Sequence, residues 1–155
     1  QIVKFIDFYK GNGVADLGSG AGFPGIILAI FNPNYTFHVK LYEKSAIKCN
    51  FLRNCIKKLN LNAEVHEENV MNAKIASNLI VCRAFKKMPE LLKISRENAD
   101  KTYKIIVLKG KNAEKEIKKA SIKEKIVYKI AKSITETDSK ILIIEKDTKQ
   151  RWNSD

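Results

Sequence analysis

Residues at four places in this 155-residue sequence have the types and spacing to act together on a nucleotide-sized ligand. The first place is a turn, Gly18-Ser19-Gly20-Ala21-Gly22, which follows the apolar run Val14-Ala15-Asp16-Leu17 and precedes Pro24 and the stretch Ile26 to Phe31. Glycines in such a turn admit φ > 0 and let a ligand press against the main chain. Proline suits a first helical position, where its missing N–H has no intrahelical partner to lose. The helix start adds free N–H groups and the positive end of a dipole. The second place is Glu43, at the end of the strand-like segment Thr36 to Tyr42. A carboxylate there is placed to accept hydrogen bonds from both hydroxyls of a ribose. The third and fourth are Arg83 and Lys109, each at the C-terminal end of an apolar run. A guanidinium fork holds a carboxylate or a phosphate in fixed geometry. Open α/β sheets bind ligands beyond the carboxyl ends of their strands. Asp16, Glu43, Arg83 and Lys109 are therefore expected to converge on one cleft.

The glycine spacing narrows the ligand. A dinucleotide loop needs G-x-G-x-x-G, with the third glycine packing helix on strand. Here the position three after Gly20 is Phe23. A phosphate-cradling Walker loop is excluded, since no Gly-Lys-Ser/Thr follows. The pattern Asp16-x-Gly18-x-Gly20-x-Gly22 instead resembles the first motif of the class I S-adenosylmethionine (SAM) methyltransferases. The longer run from Asp16 through Phe23-Pro24-Gly25-Ile26 resembles the ribosomal RNA small-subunit methyltransferase G family, also called glucose-inhibited division protein B. Cys82-Arg83-Ala84-Phe85 is similar to that family's Ser-Arg-Ala-Phe, and Leu108-Lys109-Gly110 is a further match in the same order. The resemblance covers residues 10 to 146.

The resemblance implies a Rossmann-like α/β fold: a mostly parallel seven-stranded sheet, helices on both faces and an antiparallel edge strand. It implies SAM as cofactor, held by Asp16, Gly18, Gly20, Gly22, Phe23, Glu43, Val70, Met71 and Arg83. Asn69-Val70-Met71-Asn72 departs from the family, which carries Arg, a small residue and two acids there. Val70 and Met71 are expected to cover the adenine with apolar side chains and backbone bonds. Family members often have an Arg before the last strand, where Ser139 or Lys140 stands here.

The reaction implied is methylation of N7 of a guanosine in 16S ribosomal RNA, with Lys109 and Arg83 as the catalytic pair, orienting phosphates or the base edge. The sequence contains no Asn-Pro-Pro-Tyr/Phe, with which amino-methylating enzymes grip an exocyclic amine, and no Pro-Cys nucleophile for a pyrimidine ring. N7 of guanine has a free lone pair and no proton to lose, so it needs neither. Three other readings stay open: the same fold acting on a small molecule or protein, a non-catalytic RNA-binding module, and an NAD enzyme. The last lacks any set of residues for hydride transfer.

Composition sets outer bounds. One domain, 1–155, is expected, with 1–12 the remnant of an N-terminal helical segment and 147–155 a frayed tail. Hydrophobic residues make up 45%, which excludes a disordered chain. No apolar run approaches the ~18 residues of a membrane span. Cys49, Cys55 and Cys82 form no C-x-x-C pair, and His38 and His66 are isolated, so reduced thiols, a cytoplasmic location and no metal are expected. Twenty-nine basic residues, most of them lysine, against seventeen acidic give a net charge of +12. Such an excess favours a polyanion such as ribosomal RNA, or the small ribosomal subunit, because each phosphate contact releases counterions. A monomer is expected.

The elements that must carry these groups follow from periodicity and punctuation. The apolar positions in 1–10 suggest a helix ended by Gly11-Asn12-Gly13. Strands are predicted at 14–17, 36–42, 63–66, 79–82 and 104–108, and helices at 24–31, 45–59, from Pro89, and at 112–120. In the 45–59 helix, Ile47, Phe51, Cys55 and Leu59 recur every four residues and are predicted to be its buried stripe. Residues 126–130 and 141–144 are predicted to form an antiparallel pair at one edge.

Overall fold

Ile105, Ile106 and Val107 are consecutive and all buried, as in a strand covered on both faces. They belong to β5 (Lys104–Lys109), inside a seven-stranded sheet of order β3-β2-β1-β4-β5-β7-β6. A computed structural model describes residues 1–99, 102, 104–124 and 126–145, the side chains at 123 and 124 excepted. The other strands are β1 (Gly13–Leu17), β2 (His38–Glu43), β3 (Ala63–Glu67), β4 (Leu79–Arg83), β6 (Val127–Lys132) and β7 (Lys140–Glu145). The helices are α1 (Gly25–Phe31), α2 (Ala46–Leu59), α3 (Met88–Glu97) and α4 (Ala113–Glu124). β1 to β5 run parallel, and β7 is antiparallel to both β5 and β6. The expected antiparallel pair is present, with β7 lying inside it and β6 forming the edge.

Side chains alternate between two cores, as strand geometry requires. Leu17, Ile80, Cys82, Ile105, Val107 and Leu142 meet Leu91 and Ile94 of α3 and Ile117 of α4. Val14, Val81, Ile106 and Ile141 share the opposite core with Leu28 of α1 and Leu52 of α2. Helices thus cover both faces. Among the described residues no helix is long and apolar enough to cross a membrane.

Two expectations fail. The helix expected over 1–10 is a single 3-10 turn, Ile2–Phe5, after which Ile6 is extended at φ −110° and ψ 125°. Ile2, Ile6 and Phe8 are nevertheless buried, and Phe8 packs edge-on against Phe37 at 5.3 Å. Tertiary burial holds this segment in place of helix propagation, which is costly to start in so short a stretch. In α2, Ile47, Phe51 and Leu59 are exposed, at 84%, 51% and 54%. The buried residues are Cys49 and Leu52. Positions four apart advance about 400° around a helix, so four of them wind about 120° away from any one face. Positions 49, 52 and 56 stay within about 60° of one another, and that face meets the sheet. The frayed tail expected over 147–155 lies outside the described residues.

Candidate cofactor cleft

Strand order reverses between β1 and β4, and a crevice is expected beyond the carboxyl ends of strands at such a point. A cleft of about 460 Å³ opens there, lined by Gly18, Tyr42, Glu43, Lys48, Val70, Met71, Arg83 and Phe85 among others. Its size suits a small organic ligand. The loop after β1 is tied to the end of β2: the N–H groups of Gly18 and Ser19 both donate to the Tyr42 carbonyl, at 2.9 and 3.0 Å. Gly18 has φ +70°, and a Cβ placed on it would lie 2.5 Å from the Phe85 ring. Only a glycine leaves both the turn and the ring where they are.

Glu43 is held for work in this cleft. Its Oε2 accepts the Gly20 N–H at 3.0 Å and its Oε1 accepts the Ser45 N–H at 2.9 Å. Burial raises its pKa, but those two N–H groups, with the Lys48 charge, outweigh burial and leave the carboxyl below its ordinary value. An ionised carboxylate offers about four lone-pair sites. With the Lys44 N–H also acting on it, the carboxylate still keeps acceptor capacity for the cleft.

Asp16 lies beneath the loop, buried, and does not line the cleft. Its Oδ2 accepts the Gly25 N–H at 3.0 Å, at the start of α1, while its Oδ1 has no hydrogen-bond partner. Desolvation pushes its pKa up to about 7, against the lowering effects of the Gly25 N–H and the Arg83 guanidinium. An acid whose folded pKa is raised stabilises the fold fully below its unfolded value, near 3.8, and loses that contribution as pH rises through about 7. Thermal melts of the protein and of Asp16→Asn should therefore diverge between pH 5 and pH 8. Relative to the variant, the wild type should lose stability over that range by on the order of 3 kcal/mol at most, from the part of the shift lying between pH 5 and about 7. Parallel curves would contradict a buried, proton-holding Asp16.

The predicted residues do not all meet. Gly18, Glu43, Val70, Met71 and Arg83 share the cleft. Gly20 belongs to it through Glu43, and Gly22 shapes the loop behind, with φ +89°. Phe23 is half-exposed outside the cleft wall, with the Arg83 guanidinium 5.8 Å from its ring centre. Lys109 lines a separate hollow of about 270 Å³ with Gly110, Lys111 and Asn112, and its Nζ is 2.6 Å from Glu116 Oε2. Ala84 borders both spaces. The expected convergence holds for Glu43 and Arg83, with Asp16 below them and Lys109 next door. Its reason is the Glu116 carboxylate, which draws Lys109 toward α4.

Sequence reasoning missed Lys48 and Phe85 as cleft residues. Phe85 was visible in the Arg-Ala-Phe motif, and its contact with Gly18 gives that motif a physical sense. Lys48 stands on the first turn of α2, five residues beyond Glu43, and only the helix direction places it. Tyr42, also in the wall, stacks on His66 at 4.6 Å between ring centres. The residues lining the cleft fit SAM: an ionised carboxylate with acceptor capacity for a ribose, and apolar cover from Val70 and Met71. Among the described residues no three His, Cys, Asp or Glu side chains group to hold a metal ion.

Comparison with known proteins gives consistent results. The family model described as rRNA small subunit methyltransferase G matches residues 1–145. The ribosomal RNA small subunit methyltransferase G of Pelagibacter ubique is 40% identical over 153 residues, covering 97% of this chain and 71% of that protein. The protein of the same name from Rickettsia bellii is 36% identical over 149 residues, covering 96% of this chain and 75% of that protein. Among solved structures, M. capricolum TrmK in complex with S-adenosyl-homocysteine superposes with a TM-score of 0.66 at 14% identity, covering 97% of this chain and 70% of that one. The putative RNA methyltransferase PH1948 from Pyrococcus horikoshii gives 0.70 at 14% identity, covering 97% and 80%. At such low identity these structures speak for the fold alone.

Proposed function

The chain belongs to the rRNA small subunit methyltransferase G family, and from that premise we propose that it transfers a methyl group from SAM to N7 of a guanosine in 16S ribosomal RNA. The observation that carries the proposal is Glu43: a buried, ionised carboxylate fixed by Gly20 and Ser45, with acceptor capacity left over at the strand switch point. When bound, SAM supplies a methyl group already activated by its sulfonium. The protein's task is then positioning and electrostatics. Glu43 holds the ribose, Val70 and Met71 cover the adenine, and the Gly18–Gly22 loop lets the rest of the ligand approach the main chain. Asp16 sits below that loop with its free Oδ1, and Phe23 flanks it beside Arg83.

Arg83, at the tip of β4, faces the donor from one side and RNA from the other. Lys109, across Ala84, has guanine O6 or a phosphate within its class of acceptors. A base within folded RNA reaches the cleft by unstacking. The excess of positive charge supports an RNA partner, either ribosomal RNA or the small subunit. We place the reaction in the cytoplasm and take the protein to act as a monomer. Lys109→Ala should lower kcat by about 10- to 100-fold, the worth of one hydrogen bond to a charged group, with SAM affinity unchanged by calorimetry. A Lys109→Ala enzyme with full kcat would remove Lys109 from the reaction.

The proposal is tested by nucleoside mass spectrometry of 16S ribosomal RNA after incubation with labelled SAM. Label in 7-methylguanosine supports it. Label in a protein or small molecule would favour the same fold with another substrate. RNA binding with no SAM affinity would favour a non-catalytic module.

A further inference from the structure

The stretch from Asn69 to Ala73 contributes Val70 and Met71 to the cleft, and it is the part of the site that departs from the family pattern. Its backbone is held from outside the cleft by one side chain. Asn98, at the C-terminal end of α3, directs its amide nitrogen to the carbonyls of Val70, Met71 and Ala73, at 3.1, 3.0 and 3.0 Å. An amide nitrogen has two hydrogens for these three acceptors, so one hydrogen is shared. The three carbonyls also fix which way the amide faces, since its oxygen would be repelled in that position. The main-chain carbonyl of Asn98 accepts the Ile75 N–H at 2.7 Å, and its own N–H donates to Ile94 at 2.9 Å. One residue thus anchors four points of the segment 70–75 to the end of a helix. Met71 borders the cofactor cleft on one side and, on the other, a hollow of about 380 Å³ that Asn98 also lines. Within the stretch itself, Asn69 Oδ1 accepts the Met71 N–H at 3.1 Å and the Asn69 carbonyl accepts the Asn72 N–H at 2.9 Å.

We propose that Asn98 is a positioning residue for the cofactor: it does not line the cleft, and by clamping the carbonyls of Val70, Met71 and Ala73 it fixes Val70 and Met71 in the shape that covers the ligand. The inference rests on the cofactor reading above. Its chemistry is specific to an amide donor. In Asn98→Asp the outline is kept, but a carboxylate oxygen replaces the donor, facing three carbonyl oxygens and the negative end of the α3 dipole. In Asn98→Ser the added charge is avoided, but the hydroxyl sits one bond short of the amide nitrogen, so the bonds are lost without a repulsive replacement.

The test is SAM titration by calorimetry together with steady-state kinetics on 16S ribosomal RNA. Asn98→Asp should raise both Kd and KM for SAM by about 10- to 30-fold, consistent with loss of hydrogen bonds and a repulsive contact. Asn98→Ser should raise them by about 3- to 10-fold. In both, kcat at saturating SAM and KM for RNA should stay within about twofold of wild type. Hydrogen exchange at the amides of residues 71 and 72 should speed up without any ligand present. If Asn98→Asp fails to fold, Asn98→Ser carries the test. A folded variant with wild-type SAM affinity and wild-type exchange overturns the inference. So does a loss that falls equally on kcat and both KM values, which would mark a merely structural role. A wild-type protein that binds no SAM would overturn the cofactor reading itself, and this inference with it.

Discussion

Glu43→Ala should weaken SAM binding by about 100-fold or more while leaving the protein folded. Two ribose hydroxyls donating to an ionised carboxylate are each worth roughly 1.5–3 kcal/mol, and every 1.4 kcal/mol is about tenfold in affinity. Truncation also frees the Gly20 and Ser45 N–H groups that Glu43 now satisfies, so the loop loses its tie to the end of β2 from the carboxylate side. The Gly18 and Ser19 bonds to the Tyr42 carbonyl remain and keep the turn in place. Glu43→Gln should not rescue the site. A carboxamide has one oxygen, and its NH₂ would confront either the Gly20 or the Ser45 N–H, donor against donor. Calorimetric titration with SAM, with a thermal melt as control for folding, reads both variants. Near-wild-type affinity in a folded Glu43→Ala would mean the ribose is held elsewhere.

Gly18→Ala should remove most SAM binding by a different route. The residue has φ +70°, where an L side chain costs about 1–2 kcal/mol. The new methyl would also stand 2.5 Å from Cδ2 and 3.1 Å from Cε2 of Phe85. Phe85 packs against the core of the α3 and α4 face, so the ring cannot leave freely. It lines the cleft, so its displacement enters the ligand space. A loss of at least about tenfold in SAM affinity is expected, with a fall in melting temperature of a few degrees from the strain. Adding Phe85→Ala to Gly18→Ala separates the two causes. Clash relief should restore part of the affinity, and the backbone strain should persist as lowered stability. A Gly18→Ala protein that binds SAM normally would contradict the close packing of loop and ring.

The features of this site that were legible in the sequence are local ones. The Gly18–Gly22 turn, Pro24 next to α1 and the carboxylate closing β2 depend on residues within a few positions of each other, and the structure has them where expected, with α1 starting at Gly25. The strand runs of 79–82 and 104–108 were equally plain, because strands buried on both faces read as near-continuous apolar runs, here broken only by Lys104 at one end. The buried face of α2 was not legible. Its exposed Ile47 and Phe51 are as apolar as its buried Leu52, and only the position of the sheet decides between them. The N-terminal segment misled for the same reason: Ile2, Ile6 and Phe8 are apolar because they are buried, not because a helix repeats them. Lys109 sits at its strand end as expected, but its side chain is taken by Glu116, an attraction that depends on how α4 packs. The Asn98 clamp spans 25 to 28 residues and leaves no local signature.

A crystal structure with S-adenosylhomocysteine bound would judge the cofactor cleft directly. The ligand's adenosine should occupy the space between Gly18, Val70 and Arg83, with both ribose hydroxyls within hydrogen-bond distance of Glu43. Density for the ligand at any other place, or a Glu43 carboxylate satisfied only by Gly20 and Ser45 while the ribose points elsewhere, would contradict it.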